Sequence, residues 1–249
     1  MLKKISLIVS ALIVVTYLIF AIFILNPQVG KDQVCSKIEV EVVDSLERYY
    51  FSDRDIIQML GKDLNPTGKK MADVKTNDIK KHLEENKLIK KVDCFKTIKG
   101  AVMIKIHQRI PILRVFSSGK SYYVDNEGEI IPVPRNFAAH LPVATGFIDD
   151  VFAKEKLYGF ASFLSGDKFW NAQIEQIYVN QNKDIELTPR IGNHQIILGN
   201  IDDYKENLDK LKLFYEKGLN KIGWNRYSII NLKYKNQIVC TKREKNNNI

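Results

Sequence analysis

From Ile5 to Leu25 the chain runs ISLIVSALIVVTYLIFAIFIL without a charged side chain. As an α-helix rising 1.5 Å per residue, such a run spans about 30 Å, the thickness of a bilayer's hydrocarbon core. Ile, Leu, Val and Phe surround every face, so the run has no polar side to turn to water as an amphipathic core helix would. Lys3 and Lys4 precede it and few basic residues follow at once. The positive-inside rule therefore leaves residues 1–4 in the cytoplasm and everything after Asn26-Pro27 outside. A cleaved signal peptide also starts basic, but its apolar region covers about 7–15 residues and ends at a small-x-small site. Here the run is longer and Leu25-Asn26-Pro27-Gln28 offers no such site, so an uncleaved single-pass anchor over residues 5–25 is expected.

Among the 249 residues, 12 Phe and 11 Tyr contribute to 45% apolar side chains, enough for packed cores and against wholesale disorder. The formal charge of +9 could suit nucleic acid or anionic lipid, yet it is dispersed. Its densest stretch, Lys80-Lys81 through Lys87, Lys90 and Lys91, reads as the solvated side of a helix with a basic end, so no nucleic-acid partner is expected. The three cysteines, Cys35, Cys94 and Cys240, form no C-x-x-C pair, and His82, His107, His140 and His194 are isolated, which argues against a metal site. If a disulfide forms, Cys35 with Cys94 is the preferred pair, because each sits beside a strand of one domain; the alternative is small buried thiols. No glycine-rich phosphate cradle, G-x-S-x-G or H-E-x-x-H occurs, and no two carboxylates are paired by spacing. No catalytic residue, cofactor or small-molecule substrate is therefore expected.

The exposed part reads as two domains of an α+β fold. In KIEVEVVD, Ile38, Val40 and Val42 alternate with Lys37, Glu39 and Glu41, the mark of a half-buried strand. Ser52 with Asp55 resembles a capping box opening a helix through Ile56, Ile57, Met59 and Leu60, which Gly61 stops. A second helix begins near Thr76-Asn77-Asp78, with Ile79, His82 and Leu83 on one side. VDCFKTI and AVMIKIHQ follow as strands around Lys99-Gly100. Pro111 cannot donate to a mid-sheet ladder, so the first domain is placed at 36–112 and the second at 113–243, with 244–249 a frayed tail.

The second domain is mainly β: LRVFSS, KSYYVDNEGEIIPVP and LPVATGF, then a helix around Lys154 to Leu164. Asp125-Asn126-Glu127-Gly128 reads as a hairpin turn; a calcium loop starting at Asp125 would need a Glu at its twelfth position, where Asn136 stands. IEQIYVN, DIELTPR and HQIILGN lead to a second helix from Asp202-Asp203, striped by Leu208, Leu211, Phe214 and Tyr215. YSIINLKYKNQIVCTKR reads as one long terminal strand.

Several local patterns, in order along nearly the whole chain, resemble those of the FtsQ/DivIB family of bacterial cell-division proteins. Gln108-Arg109-Ile110-Pro111 is similar to the family's E-R-x-P, with Gln108 in the Glu place. Tyr122 to Gly128 resembles its aromatic-x-(I/V)-D-x-x-G hairpin, and Leu141-Pro142-Val143-Ala144-Thr145-Gly146 its L-P-x-x-x-G. Ile185-Glu186-Leu187, Ile196-Ile197-Leu198-Gly199 and Lys210-Leu211 resemble its later strand pair and helix. Ile230-Asn231-Leu232-Lys233-Tyr234 resembles its terminal I-D-L-R-Y, with Asn231 and Lys233 replacing Asp and Arg.

The resemblance implies a transmembrane helix, a POTRA domain (strand-helix-helix-strand-strand) and a β-rich FtsQ-type domain carrying two helices. It also implies a non-enzymatic inner-membrane scaffold, facing the periplasm at the septum, that links division proteins. Its partners would be an FtsB/FtsL-like coiled-coil pair, held by β-augmentation on the terminal strand. The residues expected there are Asn231, Lys233, Tyr234, Lys235, Asn236, Gln237 and Ile238, within a binding edge running from Ile229 to Thr241. Two alternatives remain: an anchored POTRA module of an export or assembly system, which predicts repeats or a barrel, and an anchored periplasmic enzyme, which predicts a deep cleft with convergent carboxylates.

Overall fold

A computed structural model of the chain describes residues 2–25, 32–43, 50–134 and 140–244. Leu2–Leu25 form one helix of 24 residues, α1. Its described side chains are Val9 and residues 11–21, and Leu12, Ile13, Tyr17 and Phe20 are all exposed. Over the described residues no helix is long and apolar enough to cross a membrane, so anchoring rests on the charge-free run 5–25. Asn26 to Gln28, where cleavage is not expected, and the tail beyond Glu244 lie outside the described residues.

The rest divides into two compact units that meet in the chain between Gln108 and Arg109. The first holds β1 (Lys37–Val42), α2 (Asp53–Leu64), α3 (Thr76–Glu84), β2 (Ile89–Lys96) and β3 (Ala101–Gln108), the strand-helix-helix-strand-strand order read from the sequence. Ser52 caps α2: its Oγ accepts the Asp55 N–H at 3.3 Å while Asp55 Oδ2 accepts the Ser52 N–H at 2.8 Å. Gly61 breaks the helix with φ 60 and ψ −162. β3 lies between β1, which it pairs in parallel, and β2, which it pairs antiparallel. Val102, Ile104 and Ile106 of this central strand are fully buried, with Ile56, Ile79, Leu83 and Val92 also in the interior.

The preferred disulfide does not form; Cys35, Cys94 and Cys240 are free. Cys35 precedes β1 and Cys94 lies in β2, on opposite sides of β3. Strands flanking a third are about 9–10 Å apart, beyond the roughly 7 Å Cα separation that a disulfide spans. Burial pushes the Cys94 thiol up to about 11.

The second unit is a nine-stranded mixed sheet in the order β12-β11-β10-β9-β8-β7-β4-β5-β6. In chain order its strands are β4 (Pro111–Ser117), β5 (Lys120–Asp125), β6 (Ile130–Pro132), β7 (Val143–Gly146), β8 (Ile174–Val179), β9 (Asp184–Pro189), β10 (Gln195–Asn200), β11 (Tyr227–Asn231) and β12 (Val239–Lys242). Pro111 and Ile112, assigned to the first domain from the sequence, belong to β4, where Pro111 opens the strand opposite Asp125.

Helical segments fill both long connections: α4 (Asp150–Phe152), α5 (Tyr158–Gly166) and α6 (Lys168–Gln173) between β7 and β8, then α7 (Tyr204–Phe214) and α8 (Asn220–Ile222) between β10 and β11. Each connection returns to a parallel neighbour, because β7 pairs with β8 and β10 with β11 in that sense. Leu157, Phe160, Leu164, Trp170, Leu208, Leu211 and Tyr215 pack on the sheet residues Val115, Ala144, Ile177, Leu187, Ile196 and Ile230. The sheet thus buries one face under helices, as a period-2 pattern facing a 3.6-period stripe requires.

The two ends of the E-R-x-P-like and D-x-x-G patterns meet. Arg109 Nη1 donates to Asp125 Oδ2 at 2.7 Å, and Asp125 is fully buried. Asp125 Oδ1 accepts the N–H groups of Glu127 and Glu129 at 2.9 and 2.8 Å, and Asn126 N–H donates to Ile110 O. One carboxylate therefore closes the β5–β6 turn and ties the entry of β4 to it.

A candidate strand-capture edge

The chain's last stretch is not the single long strand expected. It is a hairpin: β11 ends at Asn231, residues 232–238 turn, and β12 returns antiparallel, with Ile230 opposite Cys240 and Asn231 opposite Val239. Asn236 makes the reversal with φ 61, a conformation that asparagine tolerates better than most residues. An Asx turn begins it, in which Asn231 Oδ1 accepts the Lys233 N–H at 3.0 Å.

The residues singled out from the sequence are thereby brought together on this turn rather than along a strand. Asn231 ends β11, and Lys233, Tyr234, Lys235, Asn236 and Gln237 are exposed. Ile238 is half-buried and packs on the core with Cys240. Lys233 spends its charge inside the unit: Nζ donates to Asp184 Oδ2 at 2.7 Å, and that bond raises the Lys233 pKa. Tyr234 presents its ring to solvent, 49% exposed.

The open backbone lies one strand further on. Among the described residues β12 is the end of the sheet, paired on one side with β11. Arg243 N–H donates to Arg226 O, so Arg243, Thr241 and Val239 turn their backbone groups inward. By alternation, Cys240 and Lys242 turn theirs outward, to the unpaired side. Of the β12 residues, Val239 is 43% exposed and Thr241 and Lys242 are also exposed. Val239, Cys240 and Thr241 fall within the Ile229–Thr241 edge expected from the sequence, though none was among the contact residues named there, and Lys242 lies beyond it; the available signal for the turn was the polar KNQ between two apolar stretches, SIINL and IVC.

The opposite end is poorer in donors. Asp125 N–H donates to Glu129 O, which turns Ile131 toward β5 and Ile130 and Pro132 outward. At Pro132 the outward donor is missing, and Pro134 follows two residues on.

Chemistry of other kinds finds little support among the described residues. No group of three or more His, Cys, Asp or Glu side chains is placed to hold a metal ion. A groove of about 250 Å³ on the first unit carries Asp63, Asp73 and Asp78, all exposed, unlike the desolvated carboxylates that acid–base catalysis recruits. His194 is buried against Tyr215, Nε2 to hydroxyl 2.8 Å, and burial lowers its pKa.

A family model described as FtsQ/DivIB, C-terminal related, matches residues 110–241, more than half of the 249. A second, described as a POTRA-like domain, matches residues 33–107. No curated protein matches the chain. Among solved structures, the major extracytoplasmic domain of the trans isomer of the bacterial cell division protein DivIB from Geobacillus stearothermophilus is similar at 15% identity and a TM-score of 0.32, over 41% of this chain and 87% of that one.

Proposed function

The chain belongs to the FtsQ/DivIB family, and from that membership we propose that it is a non-enzymatic, single-pass scaffold of the bacterial division machinery that captures a partner strand along β12. The anchor is the 5–25 helix, with the short N-terminus in the cytoplasm and both folded units in the periplasm at the septum. An FtsB/FtsL-like coiled-coil pair is the partner, its extended segment adding a further strand beside β12. The observation that carries this reading is the difference between the sheet's ends, one short of a donor at Pro132 and one with the outward groups of Cys240 and Lys242 unpaired among the described residues. Main-chain bonds then supply affinity, while Val239, Tyr234, Lys235, Asn236 and Gln237 flank the incoming strand and supply selectivity.

The test uses Lys242→Pro. The N–H it removes points away from β11, so no ladder bond within the chain is lost. Proline at Asn236 would not serve, since its φ of 61 is closed to a ring fixed near −65. The expected result is unchanged circular dichroism and a loss of about 1–3 kcal/mol in partner binding, roughly 5- to 150-fold in affinity. A folded variant that binds at full strength would place the interface elsewhere. In the cell, depletion should give filaments without septa, and normal division would remove the division role itself.

A further inference from the structure

After α1, the described part of the first unit begins beside Ile98, an exposed apolar side chain. Asp32 follows Leu25 by seven positions, a tether that spans at most about 25 Å. The entering segment is then stitched to two loops at once. Gln33 Nε2 donates to Ile98 O at 3.4 Å and Ser36 N–H to Gly100 O at 2.8 Å, while Cys35 N–H donates to Lys69 O at 2.9 Å. Val34 bridges to Lys70. The β2–β3 tip, Thr97 to Gly100, and the loop at Gly68 to Met71 are therefore held beside the point where the chain arrives from α1.

That end of the unit is apolar and basic together. Ile98 is 65% exposed and Val34 50%, on a chain segment and a tip that touch. Lys69, Lys70 and Lys99 stand around them, all exposed. Lys69 Nζ donates to a backbone carbonyl, Asp63 O, and shares a groove with the carboxylates of Asp63, Asp73 and Asp78, while no ion pair involves Lys99 among the described residues. Against them stand Asp32, 3.5 Å from Lys70 Nζ, and Asp73. An exposed β-branched side chain at a hairpin tip, ringed by lysines and tethered within reach of a bilayer, matches what the headgroup layer accepts: apolar bodies below, cations at the phosphates.

We propose that the β2–β3 tip and the Gly68–Met71 loop dock the first unit on the outer leaflet of the membrane that holds α1, with Ile98 and Val34 entering the headgroup zone and Lys69, Lys70 and Lys99 meeting anionic phospholipid. This rests on the anchor reading of residues 5–25. Docking fixes the height of the first unit above the bilayer.

The experiment uses the full chain carrying Ile98→Trp, reconstituted in vesicles of phosphatidylcholine with or without phosphatidylglycerol, each with brominated acyl chains. Leu213→Trp, on an exposed site of the other unit, is the reference. Emission from Ile98→Trp is expected to be quenched beyond wild type in phosphatidylglycerol vesicles, with Leu213→Trp unaffected. Reversing Lys69, Lys70 and Lys99 to Glu should release the tip, since each lost cation lowers the docked-to-undocked ratio by about 5-fold at low salt. If the chain resists carbonate extraction but Ile98→Trp is not quenched, docking is overturned while the anchor stands. Equal quenching in phosphatidylcholine alone overturns the anionic assignment. A chain that washes out of the vesicles overturns the anchor, and docking with it.

Discussion

Asp125→Ala is expected to lower the unfolding free energy of the second unit by about 3–5 kcal/mol, the usual result of removing one partner of a buried ion pair. The carboxylate is fully buried and serves Arg109 through one oxygen and two backbone N–H groups through the other. Deleting it strands a guanidinium and opens the β5–β6 turn. A hydrophobic replacement at one end cannot repair this, because the two N–H donors remain. Urea midpoints at unchanged slope would give the number. Glu127→Ala is the control: its carboxylate is 3.6 Å from Arg109 and 44% exposed, so about 1 kcal/mol or less is expected. If Asp125→Ala costs no more than its control, water has entered the turn and the pair is not what ties the entry of β4 to the β5–β6 turn.

Gly146→Ala should be more severe, above about 4 kcal/mol, the range reserved for a specific structural conflict. Gly146 has φ 103, and a Cβ there would lie 2.1 Å from the Val179 carbonyl oxygen. That oxygen accepts the Phe147 N–H at 2.9 Å beside the β7–β8 ladder, so the methyl group must break the bond or push two interior strands apart. Gly166→Ala gives the contrast, since nothing lies within 4 Å of its position at the end of α5; stability should stay within about 1 kcal/mol or rise slightly. Thermal melts of the two variants side by side decide it, and a Gly146→Ala protein as stable as wild type would mean that β7 and β8 part without cost.

Local devices were legible in the residues. The alternation in KIEVEVVD, the Ser52–Asp55 cap and the Gly61 break all appear where side-chain chemistry places them, since each involves neighbours in sequence. What failed was also local, but quieter. α6 covers only Lys168–Gln173, too short to show a helical stripe; its cue was Asp167, whose carboxylate accepts the N–H groups of Phe169 and Trp170. The terminal hairpin turns without glycine or proline, so Asn236 was the cue and the period-2 parity ran straight through it. The candidate site could be read in part for a different reason. Its residues are contiguous, but which backbone stays unpaired depends on strand order, and β11 finds β10 only across α7 and α8. In the same way Arg109 and Asp125 stood in two separate patterns, and nothing in either said that they touch.

The unequal ends of the large sheet also bear on what kind of assembly it can enter. In polymer terms it is close to a monofunctional unit. On the proposed reading an incoming strand would add at β12, while at β6 Pro132 withholds one of the two outward donors and so disfavours further growth. Two copies meeting edge to edge at β12 would then tend to stop there, and the sheet would act as a chain terminator. On the same reading occupancy would be exclusive: a strand bound at β12 would leave no equal seat on this sheet, and rival partners of that edge would compete by concentration.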